Sequence, residues 1–214
     1  MKRFVCQSAL FMLSGLVAVS AAWSQAAPDT GAVDLFQLPS LEGWEVTDFG
    51  GQGEVEVAGD SVVILHAGNP MTGITWTKDF PLINYEVSLE AKRAGGGDFF
   101  STITFPVRDS HASLVVGGWG GGIVGISSIN GFDASENSTS TYMQFERDRW
   151  YSIRLRVTED SIRAWIDDEP VVDFEIGQNE LDIRVEVSAN RPFGISTYAT
   201  TGHLRNLKLR RIRR

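Results

Sequence analysis

Hydrophobic and polar residues alternate with a period of two through most of the chain beyond residue 44. The most regular stretch, residues 149–175, predicts three consecutive strands with two tight turns, because strand side chains point alternately to opposite faces. The apolar face of the first strand comprises Tyr151, Ile153, Leu155 and Val157. Trp165 breaks the alternation, since it falls on the face otherwise held by arginines and aspartate. This tryptophan is therefore either a platform on which a sugar ring stacks or part of a second packing layer.

Similar alternating segments recur at short intervals, separated by Gly, Pro, Asn and Asp, and no segment has a convincing helical pattern. The other predicted strands are 54–58, 61–66, 73–77, 85–92, 99–105, 113–117, 123–128, 142–145, 183–188, 193–198 and 204–211. A dozen or so strands in a chain of 214 residues favour an all-β fold, a two-sheet antiparallel jelly-roll sandwich. We expect one such domain at residues 44–214, preceded by a linker and lead-in at residues 27–43.

The first 26 residues are predicted to be a signal peptide. Lys2 and Arg3 precede an apolar stretch at residues 4–22, and small residues stand at Ser24 and Ala26, before the expected cleavage site. The alternative is a retained membrane anchor, since about 19 apolar residues could just span a bilayer. Cleavage removes the one cysteine and leaves no membrane span. The segment predicts export to the bacterial periplasm or the extracellular space, with stability supplied by the core rather than by disulfides.

Acidic residues outnumber basic ones by 27 to 19, which gives a formal net charge of −8. This acidity argues against nucleic acid as a partner, because DNA and RNA attract basic surfaces. The one basic run, residues 210–214, is expected to be a solvated chain end. The sequence contains three histidines and no HExxH spacing, so a multi-histidine metal site is not expected.

Three carboxylates are candidates for catalysis. Glu86 and Glu90 lie on the polar face of the strand predicted at residues 85–92, and their side chains could lean towards the roughly 5–5.5 Å separation of a retaining glycosidase. Their spacing resembles the Glu-x-Asp-x-Glu strand of family 16 glycoside hydrolases, with Ser88 in place of the aspartate. Asp98 follows three glycines at a strand start, where it could assist them. The alternatives are a solvated strand face for the glutamates and a turn for the aspartate.

The candidate substrate-binding residues are Asp109, His111, Trp119 and Trp165. An imidazole beside a carboxylate can act as a base or bind a ligand, although the same triplet is common in ordinary turns. Trp119 lies in the glycine-rich segment 117–122, and the glycines would let its ring project beside a closely packed backbone. Core packing is the alternative for both tryptophans.

Two further motifs bear on cofactors. Residues 120–125 match GxGxxG, but a strand-like sequence follows them instead of a helix start, so they do not indicate a dinucleotide site. The acidic turn at residues 167–169 would suit a structural calcium ion. No other cofactor is expected.

Seven short segments carry a family resemblance. They are Tyr85–Glu90, Gly96–Asp98, Arg149–Arg154, Ala164–Asp168, Val171–Asp173, Gly194–Ile195 and Leu204–Leu209. In this order they resemble the 3-keto-disaccharide hydrolase-like domains, which have a concanavalin A-like jelly roll. The resemblance extends roughly from residue 48 to residue 212 and implies an exported domain that acts on, or binds, glycosides.

Two departures from that family leave the activity open. Residues 98–101 replace a Gly-Asn-Ser-Gly run, and residues 196–199 replace a histidine that follows the Gly-Ile strand. One hypothesis is a glycoside hydrolase or lyase in which Glu86 and Glu90 are the acid and base, assisted by Asp98. The second is a non-catalytic carbohydrate-binding module, which the missing histidine favours. The third is an envelope domain that binds another protein.

Overall fold

The computed structural model describes residues 31–59 and 61–212, and the predicted signal peptide lies outside them. The strands in this part of the chain are β1 Ala32–Asp34, β2 Trp44–Val46, β3 Val55–Ala58, β4 Val62–Leu65, β5 Met71–Trp76, β6 Tyr85–Gly96, β7 Thr102–Val107, β8 Ser110–Gly118, β9 Ile123–Ser127, β10 Thr141–Tyr142, β11 Tyr151–Val157, β12 Ser161–Ile166, β13 Glu169–Glu175, β14 Phe193–Tyr198 and β15 Thr200–Arg211. A 3₁₀ helix, Val185–Asn190, precedes β14. No helix among the described residues is long and apolar enough to cross a membrane.

The strands form two antiparallel sheets with one hydrophobic core between them. The first sheet has the order β13-β12-β11-β6-β15-β4-β3, and β1 pairs with β15. The second sheet has the order β10-β9-β8-β7-β14-β5-β2. Strands distant in sequence therefore lie side by side, as where β6 pairs with both β11 and β15. The predicted all-β, two-sheet antiparallel sandwich is confirmed.

Alternate side chains of the strands point into the core between the sheets, and the side chains between them define an outer face on each sheet. In β6 the core residues are Tyr85, Val87 and Leu89, so the residues between them point away from the core. In the second sheet the corresponding core residues are Ile103, Leu114 and Ile126. We call the two solvent-side surfaces the outer face of the first sheet and the outer face of the second sheet. They lie on opposite sides of the sandwich.

The lead-in predicted at residues 27–43 is corrected by the structure, because part of it belongs to the domain. Strand β1 pairs with β15, with Ala32 opposite Arg210. Leu35 is buried in the core, and its carbonyl accepts a 2.9 Å hydrogen bond from Nε1 of Trp44. A strand of three residues is too short to show an alternating pattern, so the sequence predicted a linker.

The strand predicted at residues 183–188 is also wrong. This segment forms the 3₁₀ helix and is held by side chains, not by a strand ladder. The buried amide nitrogen of Asn190 lies 2.8 Å from Oγ1 of Thr47, 3.2 Å from Oγ1 of Thr75 and 3.3 Å from the carbonyl of Ile74. The alternating apolar residues give this segment the pattern of a strand. In the structure, however, Val187 packs against the protein while Val185 stays exposed.

Candidate functional site

A cavity of about 260 Å³ opens on the outer face of the second sheet. Its floor comes from three adjacent strands and comprises Thr102, Ser113, Val115 and Ser127. Trp119, Asp98, Phe99 and Tyr198 form one part of its wall. Arg184, Glu186 and Val187, from the start of the 3₁₀ segment, form another. The wall is built by loops and the floor by rigid strands, an arrangement typical of ligand sites.

The cavity floor carries buried hydroxyl groups. Thr102 lies directly opposite Ser196 in the ladder of β7 and β14, and neither hydroxyl has a hydrogen-bond partner within residues 31–59 and 61–212. Nearby, the hydroxyls of Thr104 and Ser113 bond to each other at 3.0 Å. Buried polar groups normally have partners, so the free hydroxyl of Thr102 is suited to a polar ligand or to water.

Trp119 projects from the turn between β8 and β9, and Asp98 fixes that turn. One oxygen of the Asp98 carboxylate accepts from the backbone N–H of Phe99 at 2.8 Å, and the other accepts from that of Gly120 at 3.0 Å. Gly121 has φ +103°, and a Cβ there would lie 2.9 Å from the carbonyl oxygen of Gly97. The turn therefore packs tightly while 44% of Trp119 remains exposed.

Removing the Asp98 carboxylate is expected to loosen the Trp119 turn without unfolding the domain. In Asp98→Ala, the Gly120 N–H loses its acceptor, and amide hydrogen exchange at residues 117–122 should accelerate about five- to tenfold, as for a bond of about 1 kcal/mol. Asp109→Ala is the matched control, because that carboxylate lies outside the cavity. Equal exchange rates in the wild type and Asp98→Ala would show that Asp98 does not hold the turn.

The opposite wall of the cavity is a charged network. The Arg184 guanidinium donates to Glu186 at 2.8 Å and also to Asp133, whose other oxygen accepts from the hydroxyl of Ser127 at 3.1 Å. The hydrogen bond from Arg184 holds the pKa of the Glu186 carboxyl below its usual value. Both carboxylates in the cavity wall, Asp98 and Glu186, are thus already bonded to the protein.

The structure does not bring Glu86 together with this cavity, because Glu86 lies on the outer face of the first sheet. Its carboxylate is only 7% exposed and accepts from Arg156 at 2.8 Å and from Arg210 at 2.6 Å. Burial alone would raise the pKa of Glu86, but the bonds from Arg210 and Arg156 outweigh it and lower the pKa. A carboxylate held ionised in this way stabilises the sheet and is poorly suited to donate a proton.

Glu90 and Trp165 lie on the same outer face as Glu86. Arg205 donates to Glu90 at 2.9 Å and lowers its pKa, and Asn206 donates to it as well. The guanidinium of Arg154 stacks 3.9 Å from the centre of the Trp165 ring. Both residues therefore belong to a network of arginines, acids and aromatic rings. This network lies on the opposite face of the sandwich from Asp98 and Trp119.

His111 lies on the face that carries the cavity, whereas Asp109 does not. In β8, His111 alternates with buried Ala112, so it shares the outer face with Ser113, two residues and about 7 Å further along the strand. Its Nε2 is buried and has no hydrogen-bond partner in the part of the chain that the structure describes. Burial and the charge of Arg191 lower its pKa, which favours the neutral imidazole. Asp109 stands in the turn before β8 and lines a separate depression.

The turn at residues 167–169 does not fit a calcium site. The Asp167 carboxylate accepts from Arg149 at 2.7 Å and from the backbone N–H of Ser152 at 2.9 Å. Asp168 points to solvent, 3.8 Å from Arg154. Within residues 31–59 and 61–212, no group of three or more His, Cys, Asp or Glu side chains is placed to hold a metal ion.

Several cavity residues were missed by the sequence analysis. They are Thr102, Ser127, Arg184, Glu186 and Tyr198. The strand residues among them have a signal in the sequence, since small hydroxyl residues alternate with apolar ones on the strands of the second sheet. Arg184 and Glu186 have none, because the fold of their segment was mispredicted.

The two antiparallel sheets form a concanavalin A-like jelly-roll sandwich, and the cavity with its aromatic wall lies on one face of it. The chain belongs to the 3-keto-alpha-glucoside-1,2-lyase-like domain family, whose sequence model matches residues 31–210. This confirms the resemblance found in the sequence. No curated protein matches the chain.

Solved structures similar to this chain include both enzymes and binding modules. A protein of Parabacteroides distasonis described as a glycosyl hydrolase has a TM-score of 0.57 at 13% identity, over 86% of this chain and 95% of that one. The carbohydrate-binding module CBM66 of Bacillus subtilis has a TM-score of 0.54 at 12% identity, over 78% and 95%. Domain 4 of the arabinanase AbnA of Geobacillus stearothermophilus, solved with arabinotriose, has a TM-score of 0.51 at 15% identity, over 78% and 82%. At these identities the likeness shows a shared fold.

Proposed function

We propose that this protein is an exported saccharide-binding domain and that the ligand occupies the cavity on the outer face of the second sheet. The observation that carries the proposal is the combination of the exposed Trp119 in the wall and the unpaired Thr102 hydroxyl in the floor. The apolar C–H face of a sugar ring suits an aromatic surface, and its hydroxyl groups suit the polar floor. Membership of a carbohydrate-active family supports the same ligand class.

Binding without catalysis is favoured by the state of the carboxylates. Both carboxylates in the cavity wall are bonded within the protein, Asp98 to two backbone amides and Glu186 to Arg184. Glu86 and Glu90 are paired with arginines on the opposite face of the sandwich. Glycoside hydrolysis through two carboxyl groups needs one on each side of the scissile bond. Asp98 and Glu186 lie in opposite walls of the cavity, but their bonds to backbone amides and to Arg184 suit a structural role better than proton transfer.

The second candidate is a lyase that acts on a 3-keto-glycoside, and His111 is the observation that favours it. A neutral imidazole with an unpartnered Nε2 is the form that accepts a proton. The imidazole would take the acidic proton from the carbon next to the keto group. A double bond would form to the neighbouring carbon as its bond to the glycosidic oxygen breaks, and that oxygen would take a proton from water and leave as an alcohol. In this reading the sugar must extend from the cavity along β8 to reach His111.

A glycan array followed by calorimetric titration tests binding, and chromatography of the same mixtures tests turnover. We expect saturable binding of unmodified saccharides and no new product from unmodified disaccharides or 3-keto-disaccharides. If the wild type and Glu90→Gln release product from the 3-keto-disaccharides and His111→Asn does not, the protein is the lyase instead. Loss of turnover in Glu90→Gln with an intact fold would support the acid pair predicted from the sequence. Absence of binding and of turnover would contradict both candidates.

A further inference from the structure

We infer that the saccharide site extends beyond the cavity to a second aromatic platform, Tyr142, and that the ligand is a linear oligosaccharide of three or more units. The inference rests on the proposed saccharide function of the cavity. The first observation is that Tyr142 is 74% exposed to solvent. Single exposed apolar side chains are common on protein surfaces, so the inference depends on where this ring lies relative to the cavity.

Strand register places Tyr142 on the same face as the cavity. Tyr142 is paired directly with Ile123 across β10 and β9, and directly opposed residues point to the same side of a sheet. Ile123 alternates with Val124, which is in the core, and shares its side with Ser127, which lines the cavity floor. The Tyr142 ring therefore stands on the outer face of the second sheet, at the edge strand.

Gly122 brings the Tyr142 ring towards the Trp119 turn. A Cβ at Gly122 would lie 2.3 Å from Cε2 of Tyr142, so the ring rests against the bare backbone there. Gly122 belongs to the same turn as Trp119, and the backbone N–H of Met143 bonds to its carbonyl at 2.8 Å. The two rings therefore flank one turn, with Trp119 on the cavity side and Tyr142 on the edge side.

Three exposed aromatic residues therefore lie in a row that crosses the strands of this face. Tyr198 on β14 and Tyr142 on β10 mark the two ends, and Trp119 stands between them in the turn after β8. Four strand spacings separate β14 from β10, a distance of about 19 Å. This distance exceeds the length of one sugar ring several times, so the row fits a chain of rings laid across the strands. A single monosaccharide cannot contact both ends.

The test measures affinity against chain length. Linear gluco-oligosaccharides and arabino-oligosaccharides of increasing length, from the disaccharide to the hexasaccharide, are titrated by calorimetry into the full chain. Wild-type affinity should rise with length and then level off. In Tyr142→Ala the disaccharide affinity should be unchanged, while the longer members should lose about five- to tenfold, the usual effect of one stacking contact.

Two more variants separate binding from support of the fold, because Tyr142 also covers Gly122. Tyr142→Leu keeps an apolar cover but removes the aromatic face, and it should lose the same length-dependent affinity at an unchanged melting temperature. Leu82→Ala is the control, since this exposed residue precedes β6 and its carbonyl bonds to the β7–β8 turn, at the other end of β8 from Trp119. Equal losses for all chain lengths, or none, would overturn the Tyr142 subsite and leave the cavity standing. If no member binds the wild type, the proposed function fails as well.

Discussion

Glu86→Gln is expected to lower the free energy of unfolding by about 2–3 kcal/mol, since it removes the charge of a buried carboxylate to which Arg156 and Arg210 both donate. The Glu86 carboxylate is 7% exposed and bonds to both Arg156 and Arg210, while Arg154 lies 3.7 Å away. The amide of glutamine keeps the shape but not the charge. Urea titration followed by circular dichroism measures the loss. Glu175→Gln is the matched control, because this exposed carboxylate also bonds to an arginine and should cost less than about 1 kcal/mol.

The same substitution should flatten the acid side of the stability profile. The pKa of Glu86 is lower in the folded protein than its usual value, so its stabilisation is present at neutral pH and is lost as the pH falls through the folded-state pKa. Wild-type stability should therefore drop more steeply in acid than that of Glu86→Gln. Parallel pH profiles, or a change no larger than that of Glu175→Gln, would show that the arginines do not depend on this carboxylate.

Trp119→Ala is expected to weaken saccharide binding about tenfold to a hundredfold, because it removes the exposed ring of the cavity wall. The turn around Trp119 is held by Asp98 and by backbone contacts, so the fold and the melting temperature should not change. Calorimetric titration with the best ligand from the glycan array measures the effect. Trp119→Phe should retain part of the affinity, since a smaller aromatic face remains.

Trp165→Ala is the control for Trp119, because it removes an indole from the opposite face of the sandwich. Its ring stacks with Arg154 and belongs to the network of arginines, acids and aromatic rings. Its loss should therefore lower the stability of the fold and leave saccharide binding unchanged. The reverse pattern, with binding lost in Trp165→Ala and retained in Trp119→Ala, would move the saccharide site to the first sheet. The sequence gives both tryptophans equal weight, and this pair of variants separates them.

The alternation of apolar residues was sufficient to predict the fold, because each strand of a sandwich buries one face and the pattern repeats locally. It could not predict which sheet carries the site. Glu86 and Trp119 are both candidate site residues in the sequence, yet they lie on opposite sides of the core. Only the order of the strands in the two sheets determines this. Pairing of β6 with β11 and β15 surrounds Glu86 with arginines that lie far away in sequence.

The cavity wall shows a second limit of sequence reasoning. Arg184 and Glu186 lie in a segment whose alternating valines imitate a strand, while its actual position depends on the Asn190 side chain. A single side chain that bonds to β5 and to Thr47, the residue after β2, leaves no periodic signal. The Tyr142 platform is likewise hidden in sequence, because its direction follows from pairing with Ile123.

The attachment of the 3₁₀ segment has a consequence for how this domain can change over evolution. Asn190 lies on the second sheet close against Gly194, where a Cβ would come within 2.8 Å of Asn190 Cβ. Asn190 thus fixes the end of the segment, and the backbone pairing of Asp182 with Ser128 fixes its start. Insertions or deletions between these two anchors can reshape the cavity wall while the strands keep their register. The domain is therefore a scaffold with an exchangeable wall, on which new ligand preferences can arise without refolding the core.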